Sequence, residues 1–150
     1  MRRSPRAAVL GLVVAMLLAL GGCGGSTVDN YCKDLGENRK QMADMVASQS
    51  PTALLSHLPM LRDLAEKAPS DLQDEWQTFL DAVEGLDKAI DRAGVKASDF
   101  KDGRPPAGLS ETDRKAVADA AGEIRTDEVV QAAAGIEQQA RDVCKINFGL

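Results

Sequence analysis

Aromatic side chains are scarce: the 150 residues hold five, Tyr31, Trp76, Phe79, Phe100 and Phe148. So few rings argue against a stacking platform for nucleic acid. Histidine is scarcer still. His57 stands alone, which argues against a histidine-rich metal centre. No Gly-x-Ser-x-Gly nucleophile elbow is present. No phosphate-binding glycine loop is present either, because Gly21-Gly22-Cys23-Gly24-Gly25 is followed by neither Lys-Ser nor Lys-Thr. Basic charge is not in excess. The formal net charge is −5, which opposes binding to a phosphate backbone, so no nucleic-acid partner is expected. The length suits one ordinary domain.

What is present begins with an export segment. Arg2, Arg3 and Arg6 make a positive start, and Ala7 to Leu20 follows without a charge. A basic start, an apolar run and small residues before a cut site form a secretory signal. As a helix the run spans about 21 Å, short of the roughly 30 Å of bilayer hydrocarbon. A permanent transmembrane span is therefore the weaker reading.

Leu20-Gly21-Gly22-Cys23 resembles the lipobox of bacterial lipoproteins: an aliphatic residue, two small residues and an obligatory cysteine. The resemblance implies that the Cys23 thiol receives a diacylglycerol and that the mature chain begins there. Two acyl chains suffice for stable anchoring. The segments then read as a signal peptide at 1–22, a lipidated flexible tether at 23–28 and a helical domain at 29–150. Loss of residues 1–22 removes three of 18 basic residues and none of the 23 acids, deepening the charge from −5 to −8. The expected location is the extracytoplasmic face of the cell membrane, held by lipid alone.

Assigning Cys23 to the lipid leaves Cys32 and Cys144, the one remaining intramolecular pair. An extracytoplasmic compartment permits a disulfide between them. With no Cys-x-x-Cys in the chain, a structural bridge is favoured over a redox pair. It would close a loop of over one hundred residues, worth about 4–5 kcal/mol on the chain-entropy model.

The mature chain reads as helices. Tyr31, Leu35, Met42, Met45 and Val46 mark one face of a helix over Asp29–Ser48. Ser50-Pro51 starts the next, which runs to about Lys67 with a kink or break near Leu58 caused by Pro59. Ser70 opens a third, whose stripe from Leu72 to Ile90 ends near Ala93 with Gly94 as the stop. Residues 94–109 are too rich in glycine and proline for regular structure, and Phe100 is expected to pin them to the core. Ser110 opens a last helical stretch to Cys144, broken near Arg125–Thr126. The expected fold is all-α, an antiparallel bundle of four to five helices closed by one disulfide.

Candidate chemistry is thin. His57 has no motif beside it, and adjacent Ser56 would not share its helix face. Asp71, Asp74 and Glu75 suit helix-start charge compensation better than a metal. Asp99 and Asp102 lack the ligand alternation of a calcium loop. Met42, Met45 and Met60 suit either core filling or a pliable partner groove. The alanines around 116–121 and 132–134 suit close helix packing or a shallow contact surface. No catalytic residue, metal or cofactor is assigned, so the chain reads as non-enzymatic.

The mature region also loosely resembles small helical envelope proteins of actinobacteria. The carriers are Asn30-Tyr31-Cys32, Lys67-Ala68-Pro69 before Trp76, and Val143-Cys144. That resemblance implies a helical fold and a bridge, and no activity. The expected role is to bind or support another envelope component; the alternative is to carry a small apolar ligand between the helices.

Overall fold

Local sequence signals place most helix boundaries in the computed structural model, which describes residues 25–101 and 103–148. Among the described residues there are seven α-helices, α1 (Gly25–Glu37), α2 (Arg39–Ser48), α3 (Pro51–Ser56), α4 (Leu58–Glu66), α5 (Gln73–Arg92), α6 (Glu111–Glu123) and α7 (Asp127–Asp142), and no strand. Short 3-10 turns lie at Ser70–Leu72 and Ala97–Asp99.

Seven helices replace the expected four or five because two expected helices are divided. The first divides at Asn38, whose side-chain amide donates to the Asp34 carbonyl at 2.9 Å. Backbone bonding continues on both sides, Asn38 N to Asp34 O at 3.1 Å and Met42 N to Asn38 O at 3.0 Å, so the chain bends rather than stops. The second divides at His57, because Pro59 in the first turn of α4 has no N–H to continue α3. α1 also begins at Gly25, so residues 25–28, read as tether, are helical. Cys23 lies outside the described residues.

The other starts and stops follow their chemistry. Ser50 is extended and hands over to Pro51 at the first helical position. Ser110 Oγ accepts from Asp113 N at 3.0 Å, a side-chain cap on α6. Gly94, at φ 70, terminates α5. Gly94 N donates to Asp91 O at 3.0 Å and Val95 N to Ile90 O at 3.4 Å, the paired bonds of a Schellman stop.

α5 is the central element, in contact with α3, α4, α6 and α7. Its first half gives Trp76, Phe79 and Val83 to a core shared with Tyr31, Leu35, Leu61, Leu64, Ile136 and Ala140. Its second half gives Leu86, Ala89 and Ile90 to a smaller cluster with Val117, against which Phe100 packs. Phe100 thus anchors the 94–110 loop, as its place in that loop suggests. Gly85 lies between the two halves, and a Cβ there would meet nothing within 4 Å. Gly85→Ala should therefore stabilise the protein by about 0.5–1 kcal/mol through helix propensity. Thermal unfolding checks this, with a rise in Tm of roughly 1–4 °C expected.

Cys32 and Cys144 form a disulfide with Cα atoms 5.0 Å apart, joining α1 to the end of α7. Beyond it Lys145, at φ 58, reverses the chain. The tail then runs back across the first two helices. Ile146 lies beside Gly36, Arg39 Nε donates to Asn147 O at 3.0 Å, and Phe148 is buried. Lys67 fastens the end of α4 to α1 through Asp34 at 2.8 Å and also meets Asp63 at 2.7 Å. Both carboxylates hold the Lys67 ammonium above the ordinary lysine range. Arg62 and Lys88 hold Glu84 below the ordinary carboxylate range, and the Arg62 bond links α4 to α5 at 2.9 Å. Glu84 thus contributes to stability above the normal carboxylate pKa, and that contribution is lost as pH falls through its lowered value.

Candidate functional site

Three helices that meet over Trp76 leave a groove between them. α2 presents Met42, Met45 and Val46, spaced to share one face. α5 supplies Trp76 and Phe79, whose rings meet edge to face with centroids 6.2 Å apart. α7 supplies Val130, Ala133, Ala134, Ile136 and Glu137, while Leu54 of α3 and Phe148 of the tail complete the lining. The cavity volume is about 320 Å³, at the small end of the range for small-molecule sites. Ala133 and Ala134 keep the α7 part of this lining small.

The lining is apolar except for Glu137, whose Oε1 accepts from Arg141 Nη1 at 2.9 Å. Trp76 carries one polar atom, and that atom faces away from any ligand role. Its Nε1–H donates to Tyr31 Oη at 3.1 Å in the buried core. Burial pushes the Tyr31 phenol up to about 12, against the smaller lowering effect of the Trp76 hydrogen bond. An apolar surface with its polar atoms already bonded suits a hydrocarbon ligand, since nothing polar must be stripped of water without replacement. Val130, on the outer lip, is 54% exposed, one of two large hydrophobic residues so placed among the described residues.

The residues singled out by sequence separate into two sets. Met42 and Met45 reach the groove, whereas Met60 packs against the core elsewhere. Ala133 and Ala134 reach it too, and Ala132 is buried. His57 sits at the α3–α4 corner, its backbone N–H donating to Leu54 O at 3.1 Å. Ser56 Oγ donates to Ala53 O at 2.7 Å. Asp71, Asp74 and Glu75 flank the start of α5. No group of three or more His, Cys, Asp or Glu side chains that could hold a metal is found among the described residues. Asp99 Oδ2 accepts from Lys96 N at 2.8 Å, and Asp102 lies outside the described residues. Cys32 and Cys144 come together as the bridge, some turns of helix from the groove.

Phe148 and Glu137 are groove residues that the sequence reading missed, and Phe148 carried a signal. Its signal was the alternation Ile146-x-Phe148 after the last helix, a short apolar segment with one face to bury. Among the described residues no helix is long and apolar enough to cross a membrane. No family model, curated protein or solved structure matches this chain.

Proposed function

We propose that this chain is a lipid-anchored, non-enzymatic binding protein of the cell envelope that holds a small apolar ligand in the groove between α2, α5 and α7. The groove is the observation that carries this reading: a cavity of about 320 Å³ whose one charged lining residue is already paired. Methionines on one wall adapt to varied apolar shapes. The anchor rests on Leu20-Gly21-Gly22-Cys23 and the apolar run before it. The reading takes the helices as an antiparallel bundle, tied by Cys32–Cys144, on the extracytoplasmic face of the membrane. The hydrogen bond that engages the Ser56 hydroxyl with the backbone supports a non-catalytic role for the His57 corner.

Photolabelling tests it. The full chain in its own membrane is exposed to a short alkyl diazirine and digested for mass spectrometry. Crosslinks should concentrate on Met42, Met45, Ala134 and Phe148. Ala134→Trp, which fills the cavity from its lip, should lower labelling of the other three at least fivefold. Even labelling over the surface, or labelling indifferent to Ala134→Trp, overturns the reading. Intact mass of the membrane-extracted protein reports the diacylglycerol on Cys23 separately.

A second reading is that the groove seats an apolar segment of another envelope protein. The exposure of Val130 at its lip favours this version. It predicts that an alkyl probe fails to concentrate in the groove, while Val130→Glu abolishes crosslinking to one repeated partner.

A further inference from the structure

A second cavity, of about 760 Å³, borders the smaller core, between the Ser48–Thr52 corner, the 94–110 loop and α6. Its chemistry is opposite to that of the groove. Arg114 and Arg125 line it, and no carboxylate is found among its described lining residues. Two arginines thus line one cavity in a chain of formal charge −5. Arg114 sits in the first turns of α6 and Arg125 two residues past its end, so their backbones stand about 16 Å apart along the helix axis. Between them Ala118 and Ala121 keep the wall low.

Arg114 spends one N–H on the Leu109 carbonyl, at 2.9 Å. Arg125 is exposed and makes no side-chain hydrogen bond or ion pair among the described residues, so its guanidinium has donors to offer a ligand. Opposite, Ser50 Oγ and Thr52 Oγ1 lie 2.9 Å apart. One hydroxyl hydrogen closes that contact and the other stays free for a ligand. Gln49, at the same corner, is held at φ 48, in the left-handed region that a glutamine rarely occupies. Phe100 adds a half-buried ring whose negative face attracts C–H groups.

We infer that this cavity binds a short acidic glycan, about a disaccharide in size, with carboxylate or phosphate groups held by Arg114 and Arg125. Guanidinium groups match both anions in a two-pronged geometry. The free hydroxyl hydrogen and the Gln49 amide serve sugar hydroxyls, and Phe100 serves a ring face. The mixed lining disfavours a plain hydrocarbon, so the two cavities divide their ligands by polarity. This site does not depend on what the apolar groove binds.

Amide shift mapping on the isotope-labelled full chain tests the inference, with digalacturonate and sucrose 6-phosphate as probes and sucrose and inorganic phosphate as comparisons. At least one acidic disaccharide should shift the amides of Ser50, Thr52, Gly103 and Ala118 and leave Ala133 unmoved. Sucrose and inorganic phosphate should each bind at least tenfold more weakly. Arg125→Ala, an exposed change that leaves the core untouched, should weaken the acidic probe at least tenfold, and Arg125→Lys less. The inference is overturned by silence from both acidic disaccharides, by equal affinity for inorganic phosphate, or by affinity that Arg125→Ala leaves unchanged. Carboxylate and phosphate probes together distinguish which anion the arginines prefer.

Discussion

Replacing both Cys32 and Cys144 by alanine should lower the unfolding free energy by about 4–5 kcal/mol. The sulfurs join residues 112 apart in sequence. On the chain-entropy model, cutting a loop of that length frees the unfolded chain by about 4.8 kcal/mol at 25 °C. Single domains of this size have about 5–15 kcal/mol in total, so the unbridged protein should be near its limit. Urea unfolding of the wild type with and without reductant, beside the double variant, measures the loss. The m-value should rise in the unbridged forms, because their unfolded chain exposes more surface. A loss under 1 kcal/mol would mean that the unfolded chain is held compact without the bridge.

The second large effect centres on Trp76, which is 1% exposed. Trp76→Ala should cost about 3–5 kcal/mol, the range for emptying a large aromatic site in a core. Trp76→Phe removes the N–H and also shrinks the ring, so its cost combines the lost hydrogen bond to Tyr31 with a smaller cavity term. Tyr31→Phe leaves the indole N–H buried without an acceptor, at about 1–3 kcal/mol. The double variant Tyr31→Phe/Trp76→Phe should cost less than the two single changes added together, since it strands neither partner. Alkali provides an independent reading. Tyrosine in the unfolded chain ionises near its ordinary value of 10.0, whereas Tyr31 in the fold is raised to about 12. The stability that depends on its protonated form is complete below pH 10 and is lost as pH rises through about 12. Tyr31 should add up to about 1.4 kcal/mol per pH unit to the slope in that window. Tyr31→Phe should remove that share and leave the part due to Lys67, whose raised ammonium also loses its contribution in alkali.

Where capping residues and prolines act locally, sequence and structure agree closely. Ser50-Pro51, Ser110 and Gly94 each set a boundary through their own backbone or side chain, independent of distant packing. The break at His57 was legible for the same reason, because Pro59 cannot donate. The bend at Asn38 was less so. Asn38 is a polar interruption of the apolar stripe, but its hydrogen bond to Asp34 O competes with helix geometry only weakly, so the pattern alone did not mark a division there. The bridge was legible once Cys23 was set aside, since only one pair then remained. The groove was not. Ala133 and Ala134 keep part of its lining small, and an alanine that closes a contact looks in sequence like one that leaves a gap. Arg114 and Arg125 were invisible as a pair for a related reason. The residues facing them come from a corner and a loop more than sixty and about ten positions earlier in the chain.

The bridge also fixes how the molecule bears a load. A pull on the leading end of α1 enters the fold within two turns of helix and meets Cys32 there. From that atom the tension crosses covalently into the far end of α7, the helix that forms one wall of the apolar groove. Helices α2 to α6 lie inside the loop that the bridge closes, so the direct covalent path bypasses them. Tugging therefore cannot peel the first helix away from the last, and the groove wall would stay rigidly coupled to whatever holds the front of the chain.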